Sequence, residues 1–183
     1  MFESIKKCDK CDLCKHQKPL MDDVDVCRVF WVGLSAKITT YDGEKPLSPT
    51  TNSGSLLCEV ENKCTDVPMY RTNLVKCAPL DESGKLRYPN RKEIDSCLPH
   101  LGFEINELNP QIIFLLGGKV IDAVSRYFSI DFEKYNEFNY SYQKYNNKYF
   151  IPVHHPSYIY VYKRRMIDDY IGGLEKMISY LLY

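Results

Sequence analysis

Four short, nearly uninterrupted apolar runs, separated by segments of helical periodicity, constrain this chain more than any other feature. Val29-Phe30-Trp31-Val32 runs into Gly33, and Met69 to Cys77 is the second run. Ile112–Leu116 precedes Gly117-Gly118, and Tyr149–Val153 leads into His154-His155-Pro156-Ser157. A strand covered on both faces is apolar throughout, whereas a half-exposed strand alternates. Between the runs lie helical patterns. Asn52 and Ser53 are placed to cap a helix bearing Leu56, Leu57 and Val60. Residues 91–108 put Ile94, Cys97, Leu98, Leu101, Ile105 and Leu108 on one face, with Pro99 expected to kink or divide the helix. Val120, Ala123 and Val124 mark another helix, and Met166, Tyr170, Leu174 and Ile178 a last one. The tyrosine-rich stretch 129–147 reads as irregular. The alternation predicts an α/β three-layer sandwich, a central four-stranded parallel sheet flanked by helices. In such sheets ligands bind beyond the carboxyl ends of the strands. That places a site on three loops: Gly33 to Lys37, Lys76 to Asn90, and His154 to Tyr158.

With 183 residues the chain is sized for a single domain, 1–183, and its 44% hydrophobic and 26% charged residues are an ordinary globular balance. A net charge of zero argues against coating nucleic acid through bulk charge and leaves room for a local basic groove. Lys163, Arg164 and Arg165 form a tight basic run, whose plain reading is the solvated start of a helix. No apolar run reaches the roughly 18 residues that span a bilayer. The opening residues lack the apolar core of a secretion signal. The expectation is a cytoplasmic protein with no membrane partner.

Eight cysteines are many for a chain this size in a reducing compartment. Cys8-x-x-Cys11-x-x-Cys14 contains two overlapping C-x-x-C pairs, a spacing that lets two thiolates of one turn reach one metal centre. Cys27, Cys58 and Cys64 lack such spacing and read as small core residues. Thioredoxin-like redox chemistry is disfavoured, because no C-x-x-C follows a strand.

Several segments carry a family resemblance. Thr72-Asn73-Leu74-Val75-Lys76-Cys77-Ala78-Pro79 resembles the T-N-x-V-K-C-x-P segment of the iron–sulfur (family 4) uracil-DNA glycosylases. Pro89, Glu93 and Cys97 match that family's next element, and Cys8 with Cys11 its opening C-x-x-C. Pro110 to Gly117 matches its P-x-x-I-x-x-L-G strand, and His155-Pro156-Ser157-Tyr158 its H-P-S-Y motif. One such motif is weak; five in the family's order are specific.

The resemblance implies a [4Fe–4S] cluster on Cys8, Cys11, Cys77 and Cys97, which would staple the N-terminus to the fold, with Cys14 as an extra thiol. Four cysteines also suit zinc; the resemblance favours iron–sulfur. It further implies a monomeric hydrolase of base-excision DNA repair that flips a damaged base out of single- or double-stranded DNA and leaves an abasic site. His155 would donate a hydrogen bond to the departing base, and Asn73 would read its edge. Gly33, Leu34 and Ser35 would hold the base and a water, with Leu47 beside them. Ser157 would grip a phosphate, Tyr158 or Ile159 would wedge into the stack, and Lys163 and Arg164 would contact the strand.

Two departures stand out. The family's first loop reads G-E-G-P-G, where this chain has Gly33-Leu34-Ser35-Ala36-Lys37. The family's stacking phenylalanine is replaced within Lys45-Pro46-Leu47-Ser48-Pro49, which has no aromatic. Losing a stacked ring weakens base binding by about 1–3 kcal/mol. Three functions follow: a monofunctional glycosylase for uracil or a related base, a glycosylase for a hypermodified base as in phage defence, and a catalytically silent iron–sulfur module that binds nucleic acid. Lys37 would support strand cleavage only with a depressed pKa, and a solvated or phosphate-contacting lysine is its plain reading.

Overall fold

The computed structural model describes residues 2–41 and 43–183 and builds them around one five-stranded sheet. The strands are β1 (Val29–Ser35), β2 (Met69–Val75), β3 (Ile112–Leu116), β4 (Gln143–Tyr145) and β5 (Lys148–Val153). Their order is β2-β1-β3-β5-β4; the first four are parallel and β4 is antiparallel to β5. The helices are α1 (Glu3–Lys6), α2 (Asn52–Lys63), α3 (Arg91–Leu108), α4 (Gly118–Phe128), α5 (Pro156–Tyr162) and α6 (Ile167–Leu182).

Successive strand side chains point to opposite faces, and both faces are dry. Phe30, Val32, Tyr70, Ile113 and Leu115 pack with Leu98 and Leu101 of α3 and Val120 and Val124 of α4. Val29, Trp31, Ile112, Phe114 and Ile151 pack with Leu56 and Val60 of α2, Ile159 of α5 and Leu174 of α6. Trp31 and Phe114 stack at 4.5 Å between centroids, both fully buried. Each such side chain contributes roughly 1.5–3 kcal/mol over its exposed state. The layers are therefore α3/α4, sheet, and α2/α5/α6, the three-layer architecture expected.

The departures are local. The sheet has a fifth strand: Asn146 and Asn147 take φ of 47° and 61°, the two-residue turn that matches hairpin twist, and fold β4 back on β5. Part of the stretch read as irregular is thus sheet. Thr51, rather than Asn52 or Ser53, caps α2, its hydroxyl accepting from the Gly54 N–H at 3.0 Å. Pro99 does not divide α3, which runs unbroken from Arg91 to Leu108 behind an Asn90/Glu93 capping box. β1 continues through Gly33 to Ser35 instead of turning there. His155-Pro156-Ser157 opens a helix, with Pro156 in the first turn where its missing N–H costs nothing. Cys27 is buried, but Cys58 and Cys64 are only partly so.

Candidate active site

The carboxyl ends of β1, β2, β3 and β5 open onto a cavity of about 820 Å³, whose lining includes Ser35, Leu47, Asn73 and His155. Three chain segments far apart in sequence meet there. The parallel register sets Asn73 of β2 beside Gly33 of β1. The Asn73 amide lies so close that a Cβ on residue 33 would sit 2.3 Å from Asn73 Oδ1. Glycine at 33 is therefore a requirement of the asparagine, not of a turn. Asn73 is 2% exposed, and its Oδ1 is buried without a hydrogen-bond partner among the described residues. An orphaned acceptor costs about 1–3 kcal/mol, and its satisfaction by a ligand recovers that.

Below Asn73 the strand is held by a buried ion pair. Lys76 and Glu104 of α3 have side chains 1% and 0% exposed and form a salt bridge. Lys76 Nζ also donates to Thr72 Oγ1 at 2.6 Å and to the Asn73 carbonyl at 2.8 Å. Glu104 accepts from the Tyr70 hydroxyl at 2.9 Å and from Thr72 Oγ1 at 3.0 Å. Burial, then the Glu104 carboxylate, pushes the Tyr70 phenol far above its ordinary pKa.

Leu47 stands at φ +50°, a conformation strained for a bulky residue, and reaches within 3.1 Å of the space above Gly33. Arg71 holds it there. The guanidinium donates to the Leu47 carbonyl at 2.6 Å and bridges both Glu61 carboxylate oxygens at 2.9 and 2.6 Å. A strained backbone clamped by a buried arginine, inside a cavity, marks a shaped wall.

His155 caps α5. The Ser157 N–H donates to His155 Nδ1 at 3.2 Å, and the Ser157 hydroxyl lies 2.8 Å from the same nitrogen. Nδ1 is thus the acceptor, which puts the proton of the neutral ring on Nε2. Burial pushes the His155 pKa below its ordinary value, favouring that neutral form. Its neighbour His154 is a packing node. Its Nδ1 lies 3.2 Å from the Tyr140 hydroxyl, and its ring stacks on Tyr158 at 5.9 Å with Tyr135 and Phe138 at the edges. The tyrosines of the 129–147 stretch thus brace the His155 loop from behind.

Ile159 is corrected. It is fully buried against the sheet and cannot enter a DNA stack; α5 turns Tyr158, Val161 and Tyr162 outward instead. Ser35, Leu34, Leu47, Asn73, Ser157 and Tyr158 all line the cavity. Lys163 and Arg164 are exposed just beyond it. Lys37 lines the wall with its ammonium 2.6 Å from the buried carboxylate of Glu44. Burial pushes the Glu44 carboxyl up, but Lys37 and the Thr40 N–H outweigh it and hold it below the usual range. Sequence reasoning missed Glu104 and Lys119, and it placed the Lys76–Asn90 loop at the site without singling out Leu86 and Tyr88, which line the cavity with Lys119. Glu104 alone left a signal, as an acidic residue on the apolar face of α3.

Cys8, Cys11, Cys14, Cys77 and Cys97 gather at the α3 side of β2. The Cys77 thiol is pushed up to about 12 by burial first, and then by Cys97, Cys11, Cys8 and Cys14 around it. The Lys76 N–H points at Cys97 Sγ at 3.5 Å, His100 Nε2 lies 3.1 Å from Cys8 Sγ, and the Cys14 thiol donates to the Cys11 carbonyl at 3.0 Å. All eight thiols are free. Among the described residues no three His, Cys, Asp or Glu side chains converge closely enough for one shared metal ion.

Fold and site together define a three-layer α/β protein whose strand ends open onto a cavity lined by a buried asparagine and by a histidine that burial keeps toward its neutral form. Residues 27–175 match the family model of the uracil DNA glycosylase superfamily, and the chain belongs to that superfamily. It is 32% identical over 121 residues to a type-4 uracil-DNA glycosylase of Pyrobaculum aerophilum, a match covering 64% of this chain and 59% of that protein. It is 25% identical over 164 residues to the type-4 enzyme of Saccharolobus solfataricus, covering 85% and 73%. The crystal structure of wild-type Pedobacter heparinus SMUG2 shares the fold, with a TM-score of 0.55, 14% identity, and coverage of 85% of this chain and 76% of that one.

Proposed function

We propose that this protein is a monofunctional DNA glycosylase that hydrolyses the N-glycosidic bond of uracil or a related base. The observation that carries the reading is the buried, unpartnered Oδ1 of Asn73 in a cavity shared with His155. An orphaned acceptor calls for a donor, and a flipped uracil offers a ring N–H to Oδ1 and a carbonyl to the amide Nδ2. As the glycosidic bond breaks, its electron pair goes to the base, and charge develops on the base's O2. The Nε2–H of neutral His155 donates to that oxygen, held in its tautomer by Ser157. Ser35 and the adjacent backbone hold the water that adds to the sugar carbon. Lys37, tied to Glu44, serves the wall rather than a Schiff base.

Cys8, Cys11, Cys77 and Cys97 would hold the [4Fe–4S] cluster. The all-thiolate donor set fits it, and the family resemblance favours iron–sulfur over zinc. When bound, the cluster supplies a structural staple between the N-terminal turn, β2 and α3.

A second reading concerns the substrate. Leu47 presents an aliphatic wall where the resembling family carries an aromatic, and the cavity has room beyond a plain pyrimidine. Both favour a bulkier modified base. The test is alkali-revealed strand cleavage of uracil-containing single- and double-stranded oligonucleotides. Wild-type protein is expected to release base, with His155→Ala reduced about 10²–10³-fold. Release unchanged in His155→Ala refutes the mechanism. No release of uracil by folded wild type, with release of a modified base, establishes the second reading. Binding with no release of any base leaves a silent module.

A further inference from the structure

The loop joining β2 to α3 carries a feature that the base-excision reading does not use. Tyr88 is 71% exposed, yet the loop presenting it is held by hydrogen bonds along its length. The Asp81 carboxylate accepts from the N–H groups of Ser83 and Lys85 at 2.8 and 3.0 Å, and the Asp81 N–H donates to the Lys85 carbonyl at 2.8 Å. Leu80 and Leu86 pair as a bridge. Arg87 is the strut: its backbone N–H donates to the Pro79 carbonyl at 3.0 Å, its Nε to the Leu80 carbonyl at 2.9 Å, and its fork grips both Glu93 oxygens at 2.9 and 2.6 Å. Pro89 is buried on the other side and restricts the backbone of Tyr88 itself. A loop fixed this firmly has no folding reason to aim a phenol ring at solvent.

One face of the ring is already taken. Lys119, at the start of α4, places its ammonium 4.8 Å from the ring centroid. Tyr88 and Leu86 of the β2–α3 loop and Lys119 at the start of α4 line the cavity together, and Tyr158 and Tyr162 of α5 line it too, their rings 5.5 Å apart. The charge around the mouth is basic: Lys119, Lys163, Arg164 and Arg165 are exposed.

We propose that Tyr88, backed by Lys119, is a stacking platform for an unpaired nucleobase of the DNA strand that enters the cavity, beside the flipped nucleotide. The inference rests on the glycosylase reading for the identity of the strand. An exposed ring with a cation beneath it offers one free face. Only a base that has left its own stack can cover that face; a paired base is already sandwiched by its neighbours. The platform therefore favours single-stranded or locally opened DNA, and it is indifferent to base identity because every base has a π-face.

The test separates binding from base release. Anisotropy of a labelled single-stranded oligonucleotide without any excisable base reads the platform alone. Tyr88→Ala is expected to weaken binding about 5- to 100-fold, Tyr88→Phe to stay within about twofold, and Lys119→Met to lose about 2- to 5-fold. Binding to fully paired duplex should change less than binding to single strand. Because Tyr88 is exposed, melting temperatures should be unchanged and serve as the folding control. Equal affinity of wild type and Tyr88→Ala for the single strand overturns the platform, as does a loss in Tyr88→Phe as large as that in Tyr88→Ala. The glycosylase reading fails independently: wild type that releases no base but binds single strands through Tyr88 keeps the platform and loses the enzyme. Base release without Tyr88-dependent binding does the reverse.

Discussion

Replacing Lys76 by methionine should be among the most damaging single changes in the molecule, and replacing its partner as well should repair much of the damage. The Lys76 and Glu104 side chains are essentially inaccessible to solvent. In Lys76→Met the Glu104 carboxylate keeps two hydroxyl donors, Tyr70 and Thr72, but loses its only paired cation among the described residues. Stranding one partner of a buried ion pair costs about 3–5 kcal/mol. For a chain of this size each kcal/mol moves the melting temperature by roughly 2–4 °C, so the single variant should melt about 6–20 °C lower. In Lys76→Met/Glu104→Gln no charge is stranded, and the glutamine carbonyl still accepts from the Tyr70 and Thr72 hydroxyls. What is left is the loss of the donor to the Asn73 carbonyl, about 1–3 kcal/mol. The assay is thermal melting by circular dichroism at a fixed scan rate, on cluster-loaded protein. A double variant melting as low as the single variant, or a single variant melting within 2 °C of wild type, refutes the electrostatic reasoning. The double variant also isolates positioning from stability. If Lys76 holds the Asn73 backbone in register, base release stays depressed after stability has returned.

Gly33→Ala should fold and lose at least about 100-fold in base release, because its Cβ would displace the Asn73 amide from 2.3 Å; single-turnover excision beside a melting curve checks this, and near-normal excision contradicts it. Acid should weaken both fold and activity. His155 is lowered by burial, and His154 by burial and then by Lys163, with Tyr140, Tyr135 and Tyr158 around it. Below the ordinary value of 6.5 the unfolded chain binds protons that the folded chain resists, so the stability these groups contribute is complete above pH 6.5 and is lost as pH falls through their folded values. The acid limb of base release should have its midpoint below 6.5, and a midpoint above it contradicts the assignment to His155. Cys77→Ser and Cys97→Ser should each abolish the brown chromophore and lower bound iron, while Cys14→Ser should keep both; visible absorbance with an iron assay decides, and loss of iron in Cys14→Ser would move a ligand from Cys8 or Cys11 to Cys14.

How much of this was legible in the chain follows from what each signal depends on. The four parallel strands were readable because complete burial forces uninterrupted apolar runs, and the Ile112–Leu116 boundaries matched to the residue. β4 was not, because three half-exposed residues carry no apolar run; its only mark is Asn146-Asn147, a turn pair whose positive φ is invisible in composition. Missing α5 led directly to the error at Ile159. Read as loop, residues 157–159 look equally free to reach DNA; wound into a helix, Pro156 and Ile159 face inward while Tyr158 and Tyr162 face outward. Gly33 was singled out as the start of a base-holding loop, and the close fit that requires a glycine there was not legible, because it lies in the side chain of a residue forty positions away. The same holds for Tyr88. Its exposure, its cation and its rigid loop are tertiary properties that no spacing announces.

The arrangement also links Asn73, the proposed base reader, to Cys77 in one short segment. Asn73 and Cys77 flank Lys76, whose side chain folds back to the Asn73 carbonyl while its N–H points at Cys97. Glu104 anchors that ammonium from α3, seven residues beyond Cys97 on the same helix. A rigid body made of the end of β2, the buried ion pair and α3 therefore carries Asn73 at one end and the thiolates at the other. Any movement of α3 relative to β2, such as loss of the group that staples Cys77 to Cys97, must pull on the Lys76–Glu104 pair before it reaches Asn73. A tightly packed pair does not deform gradually. On the proposed reading the cysteines need no part in the chemistry to matter for it: they would hold the asparagine over Gly33, with its buried oxygen set to receive a donor from the base.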